Sequence, residues 1–425
     1  MSKPGFETLA IHAGASPDPT TGARATPIFQ TTAYVFDDVD QAASLFNLQS
    51  FGNIYSRLTN PTNAVLEERV ATLEGGRSAL AVSSGHAAQL VAFHTLMSPA
   101  DHIVASRRLY GGSITQFAHS FKRFGWEVSF VDPDDAGNFR AAFTPRTKAV
   151  FIESLANPGG VVCDIAAIAA VAHEAGVPLL VDNTMATPYL CRPFEWGADI
   201  VLHSATKFLG GHGNSMAGII VDSGKFDWSS GAGFPHLAEP TASYHGLRFH
   251  ETFGDLAFSM AARAVSLRDL GPALSPFNAF MILTGIETLP LRMERHCSNA
   301  LAVAQHLAAH PAVAWVSYAG LASDPYHALA QKYLPKGAGS VFTFGVKGGY
   351  AAGTKLVESV NLLSHLANIG DTRSLIIHPA STTHRQLTPE QRTAAGAGDD
   401  VVRISVGLES VADIIADLDQ GLAAL

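Results

Sequence analysis

Cysteine is scarce in this chain: three in 425 residues, Cys163, Cys191 and Cys297. No two of them form a CxxC, and an odd number cannot all pair. The chain therefore reads as a reduced, cytoplasmic protein rather than a disulfide-built secreted one. Charge is sparse as well. Asp, Glu, Lys and Arg make up 15% of the residues, the net charge is −9, and there is no basic run. That argues against nucleic acid and anionic membranes as partners. Met1 to Gly14 has no apolar core of signal-peptide length, and no apolar run approaches the length that spans a bilayer.

Several motifs are missing too. There is no GxxxxGK[ST] and no GxSxG. Gly211-His212-Gly213-Asn214-Ser215-Met216 begins like GxGxxG, but Met216 stands where the third glycine belongs, and the stretch does not open a helix after a first strand. His173-Glu174 lacks the second histidine of HExxH, which would fall at Val177. His306 and His310 lie four apart without an evident third ligand, so no metal site is expected.

What is present is a long chain, 47% hydrophobic, with room for two or three domains. Residues 1 to about 60 are irregular and rich in Pro, Gly and Thr. An arm of that length either packs on its own domain or serves a partner subunit or a site. Asn60-Pro61 predicts a helix start and Gly75 its stop. From Ser78 to about Val221, short apolar strands alternate with helices. The strands are 79–82, 103–105, 127–131, 149–152, 177–181 and 200–202; the helices are 87–97, 113–124 and 165–174. This predicts an α/β fold with a mainly parallel central sheet and helices on both faces. Residues 210–254 read as loop. Helical patterns follow over about 255–270 and 276–309, then strands 314–317, 341–346 and 401–406 mixed with helices, ending in 410–425. The expected division is an arm over 1–61, a large domain over 62–264 and a smaller C-terminal α/β domain over 265–425.

The chemistry concentrates where two of these strands end. The strand 200–202 runs into His203-Ser204-Ala205-Thr206-Lys207, and the strand 177–181 ends in Asp182-Asn183-Thr184. Neighbouring strands would bring an acid and an amine to the carboxyl edge of the sheet, where open α/β sheets bind ligands. Pyridoxal phosphate needs that set: a lysine for a Schiff base, a carboxylate opposite its ring nitrogen, and hydroxyl and N–H donors for its phosphate. The bland alternative is a structural acid and a surface lysine. Ser84-Gly85-His86, at a strand-to-helix junction, suits either an anion or a simple helix cap. Tyr110, at the next junction, suits a flat cofactor or a packed core. Arg403, amid apolar strand neighbours, suits a substrate carboxylate or a buried salt bridge. His378, His384 and Arg385 are either functional or part of a polar loop.

These residues sit in a wider set of matches. They include Tyr55-Ser56-Arg57, Ser84-Gly85-His86-Ala87-Ala88-Gln89, Leu109-Tyr110-Gly111-Gly112, Val181-Asp182-Asn183-Thr184 and His203-Ser204-Ala205-Thr206-Lys207. Others are Ser275-Pro276-Phe277-Asn278-Ala279-Phe280, His378-Pro379-Ala380-Ser381-Thr382-Thr383-His384 and Arg403-Ile404-Ser405-Val406-Gly407-Leu408-Glu409. Nearly end to end, the chain resembles the cystathionine and methionine metabolism family of pyridoxal-phosphate enzymes. These have the fold-type I, aspartate aminotransferase-like architecture. Within the family it is most similar to the O-acetylhomoserine sulfhydrylases. The resemblance implies that Lys207 forms the Schiff base, Asp182 pairs with the ring nitrogen, and Tyr110 stacks on the ring and assists proton transfer. It implies that Gly85, His86, Ser204 and Thr206 hold the phosphate, and that Asn157 lies near cofactor and substrate. Arg403 and Asn368 would meet the substrate carboxylate. Tyr55 and Arg57 would reach the site of a neighbouring subunit, Tyr55 touching substrate as well, in a homotetramer built from dimers. Two positions depart from relatives: Gly112 stands where methionine γ-lyases carry cysteine, and Asn368 where many members have serine. The implied reaction is γ-replacement on O-acetylhomoserine by sulfide or methanethiol, giving homocysteine or methionine and acetate. O-succinylhomoserine sulfhydrylase, cystathionine γ-synthase and methionine γ-lyase are alternatives on the same site. Segment 210–254 resembles an insertion that would shield the reacting centre. Intact Lys207, Asp182 and Arg403 argue against a cofactor-free scaffold.

Overall fold

Seven short strands, all but the edge strand 127–131 buried over most of their length, organise the first half of the chain. They are β1 (Ser78–Val82), β2 (His102–Ser106), β3 (Glu127–Val131), β4 (Thr147–Glu153), β5 (Leu179–Asp182), β6 (Ile200–Ser204) and β7 (Gly218–Asp222). The computed structural model describes residues 4–229, 233–383, 385, 388, 392 and 396–425. The strands pair in the order β1-β7-β6-β5-β4-β2-β3. Only β7 runs against its neighbours; β6, β5, β4, β2 and β3 are parallel.

Side-chain alternation sets the layers. Val150, Ile152, Leu179, Val181 and Val201 enter one apolar cluster; Ala149, Phe151, Leu180, Ile200 and Leu202 enter another. A strand's period of two puts these sets on opposite faces, so both faces need cover. On the first face the cover comes from α1 (Phe6–His12), α3 (Pro61–Glu74) and α7 (Ile165–Glu174). On the second it comes from α4 (Gly85–Leu96) and the helical run 257–270. Asn60 caps α3 by accepting from the Thr62 N–H at 2.9 Å, and Gly75 ends it at φ +78°.

A second sheet of five strands follows, in the order β10-β11-β12-β9-β8: β8 (Val313–Ser317), β9 (Val341–Val346), β10 (Ser364–His365), β11 (Leu375–Ile377) and β12 (Val401–Ser405). Its apolar face continues the first cluster without a break, through Phe342, Phe344, Val402 and Ile404. No described helix is long and apolar enough to cross a membrane.

Four sequence expectations need correction. Residues 210–254 are not all loop, because β7 lies within them; as an antiparallel strand it needs no crossover helix, so no alternation announces it. The arm is not wholly irregular: it holds α1 and α2 (Val39–Phe46), the latter capped by Asp38 accepting from the Gln41 N–H at 2.7 Å. The pattern 113–124 is not one α-helix but α5 (Gly111–Thr115), then a π turn and a 3₁₀ turn. The pattern 276–309 breaks at Thr288, just before Pro290, whose nitrogen has no hydrogen to donate. Unannounced by the sequence are α6 (Ala136–Ala142) and the short strands β10 and β11.

Candidate active site

Three parallel strands end side by side at the same edge. Glu153 of β4 is in register with Asp182 of β5, and Asp182 with Leu202 of β6. Ser204 closes β6, and a turn held by the Lys207 N–H to Ser204 carbonyl bond (3.1 Å) brings Lys207 back over the edge. The junctions before α4 and α5 supply Ser84, Gly85, His86 and Tyr110. From the second sheet come Arg403 and the segment Ala367–Ile369. Together they enclose a cavity of about 260 Å³.

Lys207 Nζ donates to Asn368 Oδ1 at 2.5 Å. Burial, and then the charge of Arg403, hold its pKa below the ordinary lysine value, which favours the free amine. Asp182 accepts from the Thr184 N–H at 2.9 Å. Burial raises its pKa while the Thr184 bonds oppose the rise. Beside it, Glu153 is pushed up to about 8 by burial and then by the Asp182 charge. Two acids this close resist ionising together, so a cationic ring nitrogen opposite Asp182 would favour its charged form.

Arg403 settles one alternative. Its Nη1 donates to Asn157 Oδ1 and its Nη2 to the Asn368 carbonyl, both at 3.2 Å. No carboxylate pairs with it among the described residues. Burial lowers its pKa to about 10. Its guanidinium, half-buried at the cavity wall, is held only by neutral oxygens among the described residues. Tyr110 is not a core residue: it is 49% exposed and lines the cavity.

Ser84 does cap α4, accepting from the Ala87 N–H at 3.2 Å. The N–H groups of Gly85 and His86, in the first turn, have no intrahelical acceptor and suit an anion. A Cβ on Gly85 would lie 2.8 Å from Ser204 Cβ, so the close approach of this helix start to β6 needs glycine. Thr206 also lines the cavity, its hydroxyl donating to the Ala217 carbonyl at 3.2 Å.

Tyr55 and Arg57 do not line this cavity; the Arg57 guanidinium lies 5.4 Å from the Tyr55 ring centroid. His378 is buried away from it against the Asp399 carbonyl at 2.9 Å. Thr383 of the same loop does line it, and His384 lies outside the described residues. His306 and His310 face Asp419, at 2.6 and 3.9 Å. Of segment 210–254, Met216 reaches the cavity.

Sequence reasoning missed Glu153 and Gln89. Glu153 accepts from the Tyr110 N–H at 2.6 Å and the Asn157 N–H at 3.1 Å, one with each carboxyl oxygen. The strand-end logic applied to Asp182 would have found it. Gln89 lies one helical turn after Gly85; its Nε2 donates to Ser113 Oγ at 2.9 Å, and its buried Oε1 has no partner among the described residues. An acid, an amine, free helix N–H groups, hydroxyls and this open acceptor together match the donor and acceptor needs of pyridoxal phosphate.

The family model for the Cys/Met metabolism PLP-dependent enzymes matches residues 7–423. The O-acetyl-L-homoserine sulfhydrylase of Leptospira meyeri is 52% identical over 425 residues, covering 98% of this chain and 96% of that protein. The homocysteine synthase of Schizosaccharomyces pombe is 51% identical over 419 residues, covering 98% of each. A crystal structure of a putative O-acetylhomoserine (thiol)-lyase from Campylobacter jejuni, which carries an N'-pyridoxyl-lysine-5'-monophosphate, superposes with a TM-score of 0.95. It is 40% identical and covers 99% of this chain and all of that one.

Proposed function

The chain belongs to the family of Cys/Met metabolism PLP-dependent enzymes, and we propose on that premise that it is an O-acetylhomoserine sulfhydrylase. It replaces the γ-acetoxy group of O-acetylhomoserine with sulfide, or with methanethiol, releasing acetate and homocysteine or methionine, for methionine biosynthesis. The observation that carries this is the 52% identity to such an enzyme over 98% of the chain, joined to Lys207, Asp182 and Arg403 meeting in one cavity.

Pyridoxal phosphate, when bound, supplies an electron sink that stabilises negative charge at the substrate's reacting carbons. Lys207 would be its attachment point, Asp182 would pair with its ring nitrogen, and Tyr110 would pack on its ring. Gly85 and His86 N–H groups with the hydroxyls of Ser204 and Thr206 take its phosphate. Lys207 Nζ then acts as the base at substrate Cα and carries protons at Cβ. Burial, and then the charge of Arg403, lower that amine's pKa, which favours its unprotonated form. Arg403 grips the α-carboxylate with its two Nη groups, exchanging the neutral oxygens of Asn157 and Asn368 for a charged one. Asn368 Oδ1 steadies the Lys207 amine. Tyr110 assists proton transfer.

The assembly we propose is a cytoplasmic homotetramer of two dimers, in which Tyr55 and Arg57 of the arm over 1–61 complete a neighbour's site. Exposed apolar side chains on that arm, Val35, Val39 and Phe51 at 99%, 82% and 76%, support a role in covering another subunit. The large domain over 62–264 holds the cofactor, and the smaller one over 265–425 brings Arg403 and Asn368. The test is to supply O-acetylhomoserine or O-succinylhomoserine with sulfide, and methionine alone, at equal enzyme. Homocysteine from the acetyl ester should form fastest. Faster 2-oxobutyrate from methionine replaces this reading with a γ-lyase, and preference for the succinyl ester replaces the substrate.

A further inference from the structure

Tyr110 must present its ring in one plane for the function just proposed, yet nearly half of the residue is exposed, so core packing does not fix it. Its main chain is held by the Glu153 carboxyl at 2.6 Å. Among the described residues its ring has one aromatic neighbour, the imidazole of His86, with centroids 5.9 Å apart and planes inclined by 27°.

Gly112 makes that pairing possible. A Cβ at this position would lie 2.4 Å from Tyr110 Cε1 and 2.9 Å from both Cε1 and Nε2 of His86. The two rings therefore occupy the volume that any larger residue would claim. Gly112 is not among the residues with positive φ, so space and not backbone conformation calls for glycine here. Both rings are side-chain ends, so an added methyl would turn them rather than shift the main chain. The two helices that carry them are tied together. Gln116 Nε2 donates to the His86 carbonyl at 3.0 Å, and Gln89 Nε2 to Ser113 Oγ at 2.9 Å.

We propose that the imidazole of His86, seated in the room that Gly112 leaves and stacked on Tyr110, is a positioning residue that fixes the plane of the Tyr110 ring over the cofactor site. This rests on the reading of Tyr110 as the residue that lies along the cofactor ring. It adds to the His86 main chain, which faces the phosphate, a separate role for its side chain. It also makes positions 86 and 112 a coupled pair, because each limits the space of the other.

The experiment strips the holoenzyme of cofactor and titrates it back with pyridoxal phosphate. The proteins are wild type, His86→Ala, His86→Phe, Gly112→Ala and the double variant His86→Ala/Gly112→Ala. Thermal melts of the stripped proteins run alongside, as does kcat against KM for O-acetylhomoserine after reloading. His86→Ala and Gly112→Ala should each weaken cofactor binding by about three- to tenfold, the range expected of an aromatic pair. Both should lower kcat more than they change KM, with melting unchanged. His86→Phe, which keeps a flat ring, should recover most of the loss. The double variant should be no worse than the poorer single one, since without the imidazole the Tyr110 ring has room to turn from the added methyl. Wild-type affinity and kcat in His86→Ala, no rescue by phenylalanine, or losses that simply add would each overturn the proposal. Failure of wild type itself to take up pyridoxal phosphate would instead overturn the cofactor reading.

Discussion

Lys207 and Glu153 make opposite demands on the same cavity. Lys207 needs a lowered pKa, and burial with the nearby Arg403 charge provides it. Lys207→Ala should leave the cofactor without a covalent attachment. Borohydride reduction should then add no cofactor mass to the protein, and turnover should be nearly lost. Wild-type turnover in that variant would refute the role. Glu153 is a positioning residue: its two oxygens hold the main chains that carry Tyr110 and Asn157. Glu153→Ala frees both, and misplacement of this kind costs about a hundredfold in rate. Glu153→Gln keeps one acceptor oxygen and should lose less, so equal kcat losses in the two variants would argue against the clamp. Arg403→Ala should raise KM for the ester more than it lowers kcat, because the guanidinium touches the carboxylate and not the reacting carbons.

β7 shows what an element can impose on its residues. It inserts antiparallel between β1 and β6, and its last residue, Asp222, is thereby buried. Burial first, with the charges of Asp199 and Asp255 adding, pushes the Asp222 carboxyl up to about 7. A raised folded-state pKa means the folded protein binds the proton more tightly than the unfolded chain. The stability this contributes is full below the ordinary carboxyl value of 3.8 and is lost as pH rises through about 7. Asp222→Asn keeps the acceptor for the Gly224 N–H (2.9 Å) and has nothing to ionise. Its melting temperature relative to wild type should climb between pH 4 and pH 8. A constant difference across that range would show that Asp222 is not the titrating group.

At the scale of the whole molecule, one chain supplies every proposed site residue to one cavity except Tyr55 and Arg57. If these serve a neighbour, two inactive variants can repair each other. Arg57→Ala mixed with Lys207→Ala, after dissociation and reassembly, should regain part of the wild-type rate, since one site in a hybrid dimer then has both residues intact. Hybrids verified by mass that stay inactive would restrict the site to one subunit.

The sequence by itself determined the alternating framework and the chemistry at its edge. Apolar runs such as 200–202, short and alternating with helical patterns, read as buried strands, and the acid and amine that end them point to one cofactor because few chemistries use both. Helix limits set by local rules were also legible, as at Asn60 and Gly75, where a cap and a left-handed turn act within a few residues. Tertiary structure alone decided what depends on distant segments meeting. β7 carries a local strand signal in Ile219-Ile220-Val221, but its antiparallel insertion depends on β1 and β6 both offering an edge. Glu153 matters because Tyr110 comes to it from a loop 43 residues away, while Asn157 reaches it from its own segment. Whether Tyr110 was core or cavity, and whether Arg403 was ion-paired, followed from burial and from the partners that folding left each of them.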